Sequence, residues 1–250
     1  MIYCDMHLHM VQCFNSIPGF ASDSLPEDYR CCSCAHSEDE FAEMEKISLG
    51  EGRSLVRAFG VHPQNPRKDL AVFLETLLRE KRISAVGEIG LDLFSQEYRD
   101  LSSEQEEVWK ICLELSASYN MPVVIHNRKA LDMMFRDRLL LKRLPAVVFH
   151  SFAFGPVEVR SLLEKGINAW FSFGKQLLNG NKKSIACVKT LPLNRLFLET
   201  DSPYQTLRGE DFTHPCDIKA VYARAAEIRG VNVEELEEPL LKSFESVFGR

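Results

Sequence analysis

The chain has no apolar run approaching the ~18 residues that a membrane span requires. Its first residues, Met1-Ile2-Tyr3-Cys4-Asp5, carry neither the basic stretch nor the apolar core of a secretory signal. A cytoplasmic protein without a membrane partner is the expectation. A basic surplus is missing too: 30 basic residues against 36 acidic ones leave a net charge of −6. That argues against a broad, sequence-independent nucleic-acid footprint. It leaves room for a small pocket that holds one phosphate beside cations, because there the cations supply the positive charge. No glycine-rich phosphate loop follows the first strand-like run, which removes the main support for a dinucleotide-binding open sheet. There is no internal repeat, low-complexity tract or linker. The eight cysteines do not form a zinc knuckle: the Cys-Cys-x-Cys of Cys31, Cys32 and Cys34 lacks the paired spacing of structural zinc sites. The eight read as thiols, and these three as side chains buried on a strand.

What is present suits one large domain spanning 1–250, which an α/β barrel of this length routinely forms. Eight short, nearly continuous apolar runs recur, as in parallel sheets covered on both faces. They are Met1–Met6, Tyr29–Cys34, Leu55–Gly60, Ile83–Glu88, Pro122–His126, Ala146–His150, Ile167–Phe173 and Arg195–Thr200. Between them the apolar period changes to that of helices, as at Leu70, Phe73, Leu74, Leu77 and Leu78. Ser37-Glu38-Asp39-Glu40 is a capping box that opens a helix near Glu38. Eight strands, most followed by a helix, predict an α/β fold, a single (β/α)8 TIM barrel. Residues 11–30 are the least regular stretch and read as a long loop at the barrel mouth.

Ionisable residues stand where these runs end. His7 and His9 are two apart at the end of the first, with Asp5 expected on the same face one step deeper. Glu88 ends the fourth run, His126 the fifth and His150 the sixth, and Asp201 follows the eighth. A barrel brings all these tips to one face, where active sites of this fold lie. Four imidazoles and two carboxylates suffice for two adjacent divalent ions, and a donor set without thiolate suits Zn, Mn, Fe or Mg. His62, after the third run, also faces the mouth. Arg128, just past His126, offers a guanidinium to a phosphate. Lys175 and Arg208 are weaker phosphate candidates, and Glu199 reads as a support for a ligand.

The motifs Asp5-Met6-His7-Leu8-His9, Phe59-Gly60-Val61-His62-Pro63, Gly87-Glu88-Ile89-Gly90-Leu91-Asp92, Ile125-His126-Asn127-Arg128, Phe149-His150-Ser151-Phe152 and Glu199-Thr200-Asp201-Ser202-Pro203-Tyr204 run through most of the chain. Together they resemble the TatD family of metal-dependent deoxyribonucleases, barrels of the metallo-dependent, amidohydrolase-like hydrolase type. The resemblance implies that His7, His9 and Asp201 hold one ion and that His126 and His150 hold a second, with Glu88 bridging. It implies two divalent cofactor ions (Zn, Mg or Mn) and hydrolysis of DNA phosphodiester bonds by a metal-activated water. Glu88 and Asp201 would be catalytic, Asp201 as the water's proton acceptor, and His62 would touch substrate. The partner would be DNA, over a small footprint at the mouth.

Some loops depart from the family pattern. Met10-Val11 replaces a small apolar residue followed by an acid, Ser151-Phe152-Ala153-Phe154-Gly155 replaces a Cys-Phe-Ser-Gly type, and Gln205-Thr206-Leu207 replaces Leu-Ala-Pro. Such loops set substrate choice. Two alternatives therefore stay open: an amide or ester hydrolase acting on a small molecule, and a metal-loaded scaffold without catalysis.

Overall fold

The structure is a computed structural model and describes residues 1–249. All eight expected strands form: β1 (Tyr3–Leu8), β2 (Tyr29–Ala35), β3 (Arg53–Phe59), β4 (Ala85–Asp92), β5 (Val123–Arg128), β6 (Val147–Phe149), β7 (Ala169–Phe173) and β8 (Leu196–Leu198). Each pairs in parallel with the next in chain order. The barrel closes between β8 and β1 just beyond the ladder. Asp201 N–H donates to His7 O (2.9 Å), and His9 N–H donates to Ser202 O (2.7 Å). This TIM-type barrel is the expected one, and its closure seam runs through the expected site.

The helices follow the apolar period seen in the sequence. Asp69–Arg79 buries Leu70, Leu74, Leu77 and Leu78 against the outside of the barrel. Further helices are Ser102–Ser118, Pro156–Glu164, Lys182–Thr190, Ile218–Arg229 and Glu234–Phe248. Two short helices, Leu131–Arg136 and Arg138–Leu141, follow β5. Residues 11–30 are not one long loop: Met10–Ser16 is helical and buries Met10, Val11 and Cys13, and a short 3-10 turn follows at Ser22–Ser24. Three buried side chains in seven residues gave too short a pattern to read as a helix. No helix of the described residues is long and apolar enough to cross a membrane.

Inside the barrel the strand alternation sets two levels. Cys34, Ala58, Val124, Val148 and Phe197 belong to one apolar cluster that fills the interior. The next inward-facing residues along these strands lead to His36, His62, His126, His150 and Glu199–Asp201, because side chains two apart share a face. The end of the interior opposite the histidines is plugged by Phe244, Val247 and Phe248 of the last helix, with the Phe248 ring stacked on Phe197 at 6.4 Å. The cysteines are free, and all but Cys216 are buried, as expected for thiols that pack like small hydrophobes.

Candidate active site

Two irregularities bring the first motif into place. Pairing of β1 with β2 shifts between Asp5 and Leu8, and pairing of β4 with β5 shifts between Val86 and Ile89. The first shift breaks simple alternation, so Asp5 does not share the histidine face as expected. Its carboxylate accepts from Tyr29 OH (2.6 Å), Thr200 Oγ1 (2.7 Å) and Thr200 N–H (2.8 Å). Asp5 thereby ties β1 to β2 and to the end of β8 from behind the site. Burial pushes its pKa up to about 6, against the pull of the Tyr29 and Thr200 hydrogen bonds.

Glu88, at the second shift, is the hub. It is buried, and glycines clear the backbone space around it. A Cβ at Gly60 would stand 2.6 Å from the Glu88 carbonyl oxygen. A Cβ at Gly90 would collide with His126 O, and Gly90 also has φ +149°, which side chains rarely adopt. The two carboxylate oxygens face different histidines. Oε2 is 3.4 Å from His7 Nε2, 3.7 Å from His9 Nε2 and 3.7 Å from His36 Nε2. Oε1 is 2.5 Å from His150 Nε2, 2.7 Å from His126 Nδ1 and 3.5 Å from His62 Nε2. Burial alone would raise the pKa of Glu88, but the surrounding imidazoles, His150 and His62 foremost, hold it well below the usual carboxylate range.

Asp201 completes the arrangement. Its Oδ1 lies 3.4 Å from His7 Nε2 and 3.5 Å from His9 Nε2, and Gln205 Nε2 donates to its Oδ2 (3.0 Å). Burial would raise its pKa too, yet the adjacent His7 and His9 imidazoles hold it far below the carboxylate range. Asp201 itself has φ +55°. Lys129, Ser151 and Gln205, which follow the strand tips, also adopt positive φ. Non-glycine residues rarely do so, and such backbone clusters at functional sites.

Around these groups lies a layer of supports. Asp92 Oδ2 is 3.1 Å from His126 Nε2 and accepts from Gln64 Nε2 (2.8 Å), so His126 turns its Nδ1 towards Glu88. Glu199 Oε1 accepts Ser151 N–H (2.7 Å) and lies 3.8 Å from His150 Nδ1, and burial pushes its pKa up to about 8. Cys34 Sγ sits 3.5 Å from His7 Nδ1. A carbonyl, carboxylate or thiol on the far nitrogen of a ligating histidine fixes ring orientation and tautomer.

The six residues expected to hold the ions lie together at the site. His7, His9, Glu88, His126, His150 and Asp201 converge within the mouth, and the ligand atoms of His7, His9 and Asp201, and of His7, Glu88 and His150, lie within 4.8 Å of one another. His62 lines the same cleft of about 490 Å³, as does Arg128 at its rim. The Arg128 guanidinium stands 4.2 Å over the Phe94 ring and 3.6 Å from Asp92. Lys175 does not reach the cleft as a free charge: it is buried and paired with Glu210 (2.6 Å) and Asp217 (2.7 Å). Arg208 is exposed. Two site residues escaped the sequence reading. His36 follows directly on β2, two residues beyond the end of the apolar run at Cys34. Asp92 ends β4, four residues beyond the apolar run that stops at Glu88, and the sequence marks it only as part of a motif.

The donor chemistry fits divalent cations. His7 Nε2 and His36 Nε2 are buried without a hydrogen-bond partner among the described residues. An imidazole nitrogen left unpaired beside two carboxylates is costly unless something binds it. An eight-stranded parallel barrel whose tips gather imidazoles and carboxylates on one buried glutamate is the architecture of a metallo-dependent hydrolase.

The chain belongs to the family of TatD-related DNases: that family's model matches residues 4–249. A putative deoxyribonuclease TATDN3 of Mus musculus is 31% identical over 225 residues, 82% of this chain and 72% of that one. The 3'-5' ssDNA/RNA exonuclease TatD of Pantoea ananatis is 32% identical over 206 residues, 76% of each chain. The crystal structure of YJJV, a TatD homologue from Escherichia coli, superposes with a TM-score of 0.80 at 25% identity, covering 99% of this chain and 98% of that one. The chain is thus a hydrolase of the nuclease type. Neither the small-molecule amide or ester hydrolase nor the non-catalytic scaffold gains support from these relatives.

Proposed function

We propose that residues 1–250 act as one domain that hydrolyses phosphodiester bonds of DNA at the mouth of the barrel. His7, His9, Asp201 and Glu88 Oε2 would hold one divalent ion, and Glu88 Oε1, His126 and His150 a second, from among Zn, Mg and Mn. The observation that carries this reading is the division of Glu88: each of its oxygens faces its own set of imidazoles. When bound, such an ion pair polarises a phosphoryl oxygen and makes water a nucleophile near neutral pH.

The remaining steps belong to the protein. Asp201, ionised and oriented by Gln205, accepts the proton of the attacking water. His62 Nδ1 accepts Gln64 N–H (3.2 Å), so Nε2 of the neutral ring carries a proton to offer a phosphate oxygen. Arg128 grips the same phosphate from the rim, its plane set by Phe94. Tyr204, half exposed against the His9 ring at 5.1 Å, and the exposed Phe94 offer flat apolar faces beside the phosphate position. Bases stack on such faces in single-stranded nucleic-acid sites. The footprint is small, which reconciles DNA binding with a net charge of −6.

The test is hydrolysis of end-labelled single- and double-stranded oligonucleotides by ion-stripped protein, with each cation added back. Cleavage should require the cation and vanish in Glu88→Gln and Asp201→Asn. Undiminished cleavage by both variants would overturn the assignment.

A further inference from the structure

The two-ion reading uses four histidines, yet His36 and His62 also point at Glu88. Their rings lie side by side at the tips of β2 and β3, with centroids 5.0 Å apart. Their hydrogen bonds distinguish them. His36 Nδ1 is 3.2 Å from the Gly60 carbonyl oxygen. A carbonyl only accepts, so Nδ1 carries the proton and Nε2 of the neutral ring keeps its lone pair. That Nε2 is buried, without a hydrogen-bond partner among the described residues, and lies 3.7 Å from Glu88 Oε2. His62 has the opposite tautomer, as its Nδ1 accepts from Gln64. Its Nε2 presents a hydrogen rather than a lone pair.

We propose that His36 is a ligand of the divalent ion held at His9 and Glu88 Oε2, so that this site has three imidazoles where the resemblance implied two. The inference rests on the two-ion reading above. The ligand atoms of His9, His36 and Glu88 lie within 4.8 Å of one another. From Glu88 Oε2, His9 Nε2 and His36 Nε2 are each 3.7 Å away. With bonds of about 2.1 Å, two ligands of one ion stand at most about 4.2 Å apart, so both separations fit.

The chain around His36 is built to hold the ring there. Ser37 Oγ accepts Glu40 N–H (3.2 Å), as a helix cap should. The Glu40 carboxylate reaches one residue further back than a capping box requires and accepts His36 N–H at 2.7 Å. It also accepts from Gln12 Nε2 (3.3 Å), on the helix that follows His9. The backbone of His36 is thus pinned by Glu40 and its ring by Gly60 O. A proton donated to a main-chain carbonyl from the far nitrogen is the usual support of a ligating histidine.

The consequence is selectivity. A third imidazole favours ions that accept nitrogen, such as zinc or cobalt, over magnesium, which prefers oxygen ligands. The experiment measures zinc and magnesium affinity of ion-stripped protein by chelator competition, and the visible absorption of the cobalt(II)-loaded protein. It compares wild type, His36→Ala, His36→Asn and His9→Ala, each checked for folding by circular dichroism. His36→Asn keeps a polar group at the position and guards against a packing defect. Both His36 variants should bind one of the two zinc equivalents at least about tenfold more weakly, with an altered cobalt spectrum and magnesium affinity within about twofold. His9→Ala should weaken the same equivalent. Unchanged zinc affinity and cobalt spectrum in both His36 variants, with the loss present in His9→Ala, would overturn this inference alone. If His9→Ala also leaves zinc binding intact, the two-ion reading itself falls.

Discussion

The same strands build two unlike halves of the barrel interior. Below the histidines lie Cys4, Cys32, Ala58, Val124, Val148 and Phe197, apolar and sealed by Phe244 and Phe248. One or two alternation steps further along, the same strands lead to His36, His62, His126, His150 and Asp201 around Glu88. The lower half gains stability from burial of apolar surface. The upper half gathers groups that are costly to bury, some without a partner. Divalent ions repay that cost when they bind. The mouth thus depends on its ligands, whereas the lower half depends only on packing.

The sharpest way to break this comparison is Glu88→Gln. Cleavage should fall about a thousandfold or more, since several kcal/mol of charge stabilisation pass through the bound ions. The ion-free protein should unfold within a few degrees of wild type, as followed by circular dichroism. Phe248→Ala should do the reverse. It should lower stability by roughly 3–5 kcal/mol in a urea titration, with the turnover number of the folded fraction unchanged. Chelation tests the same point without mutation. Removing the ions should abolish cleavage and lower the melting temperature of wild type, because ligands that bind only the folded state stabilise it, and should leave the melting temperature of Glu88→Gln nearly unmoved.

Smaller effects sharpen the boundary at the rim. Arg128→Ala should raise KM roughly ten- to hundredfold, the ~1.5–3 kcal/mol of a charged hydrogen bond, and flatten the salt dependence of DNA binding by about one charge. An unchanged KM would remove Arg128 from substrate contact. Arg208→Ala should change neither stability, beyond about 0.5 kcal/mol, nor cleavage, since its side chain is exposed.

The site was legible in the sequence to the extent that it lies at strand tips. His126 and His150 each end an apolar run, and Glu88 sits between glycines that only a crowded backbone would require. His36 was missed because the end of β2 was placed too early, although the position after Ala35 matches the other tips. Asp5 was placed on the wrong face. Its separation from His7 obeys strict alternation, but the register shift between Asp5 and Leu8 does not, and nothing local announces that shift. Lys175 looked like a free cation because Glu210 and Asp217, which neutralise it, lie 35 and 42 residues away.

By itself, the sequence determined the barrel, the family and the six residues expected to hold the ions. Alternating apolar runs, helical stripes and short motifs are local patterns, and a parallel barrel necessarily carries all its strand ends to one face. Only the tertiary structure decided which oxygen of Glu88 each histidine faces, which ring nitrogens keep a lone pair, and that Tyr29 and Thr200 are the partners through which Asp5 supports the site. Those features depend on hydrogen bonds between residues far apart in the chain, such as His36 with Gly60 or Asp5 with Thr200, and such bonds exist only once the barrel has closed.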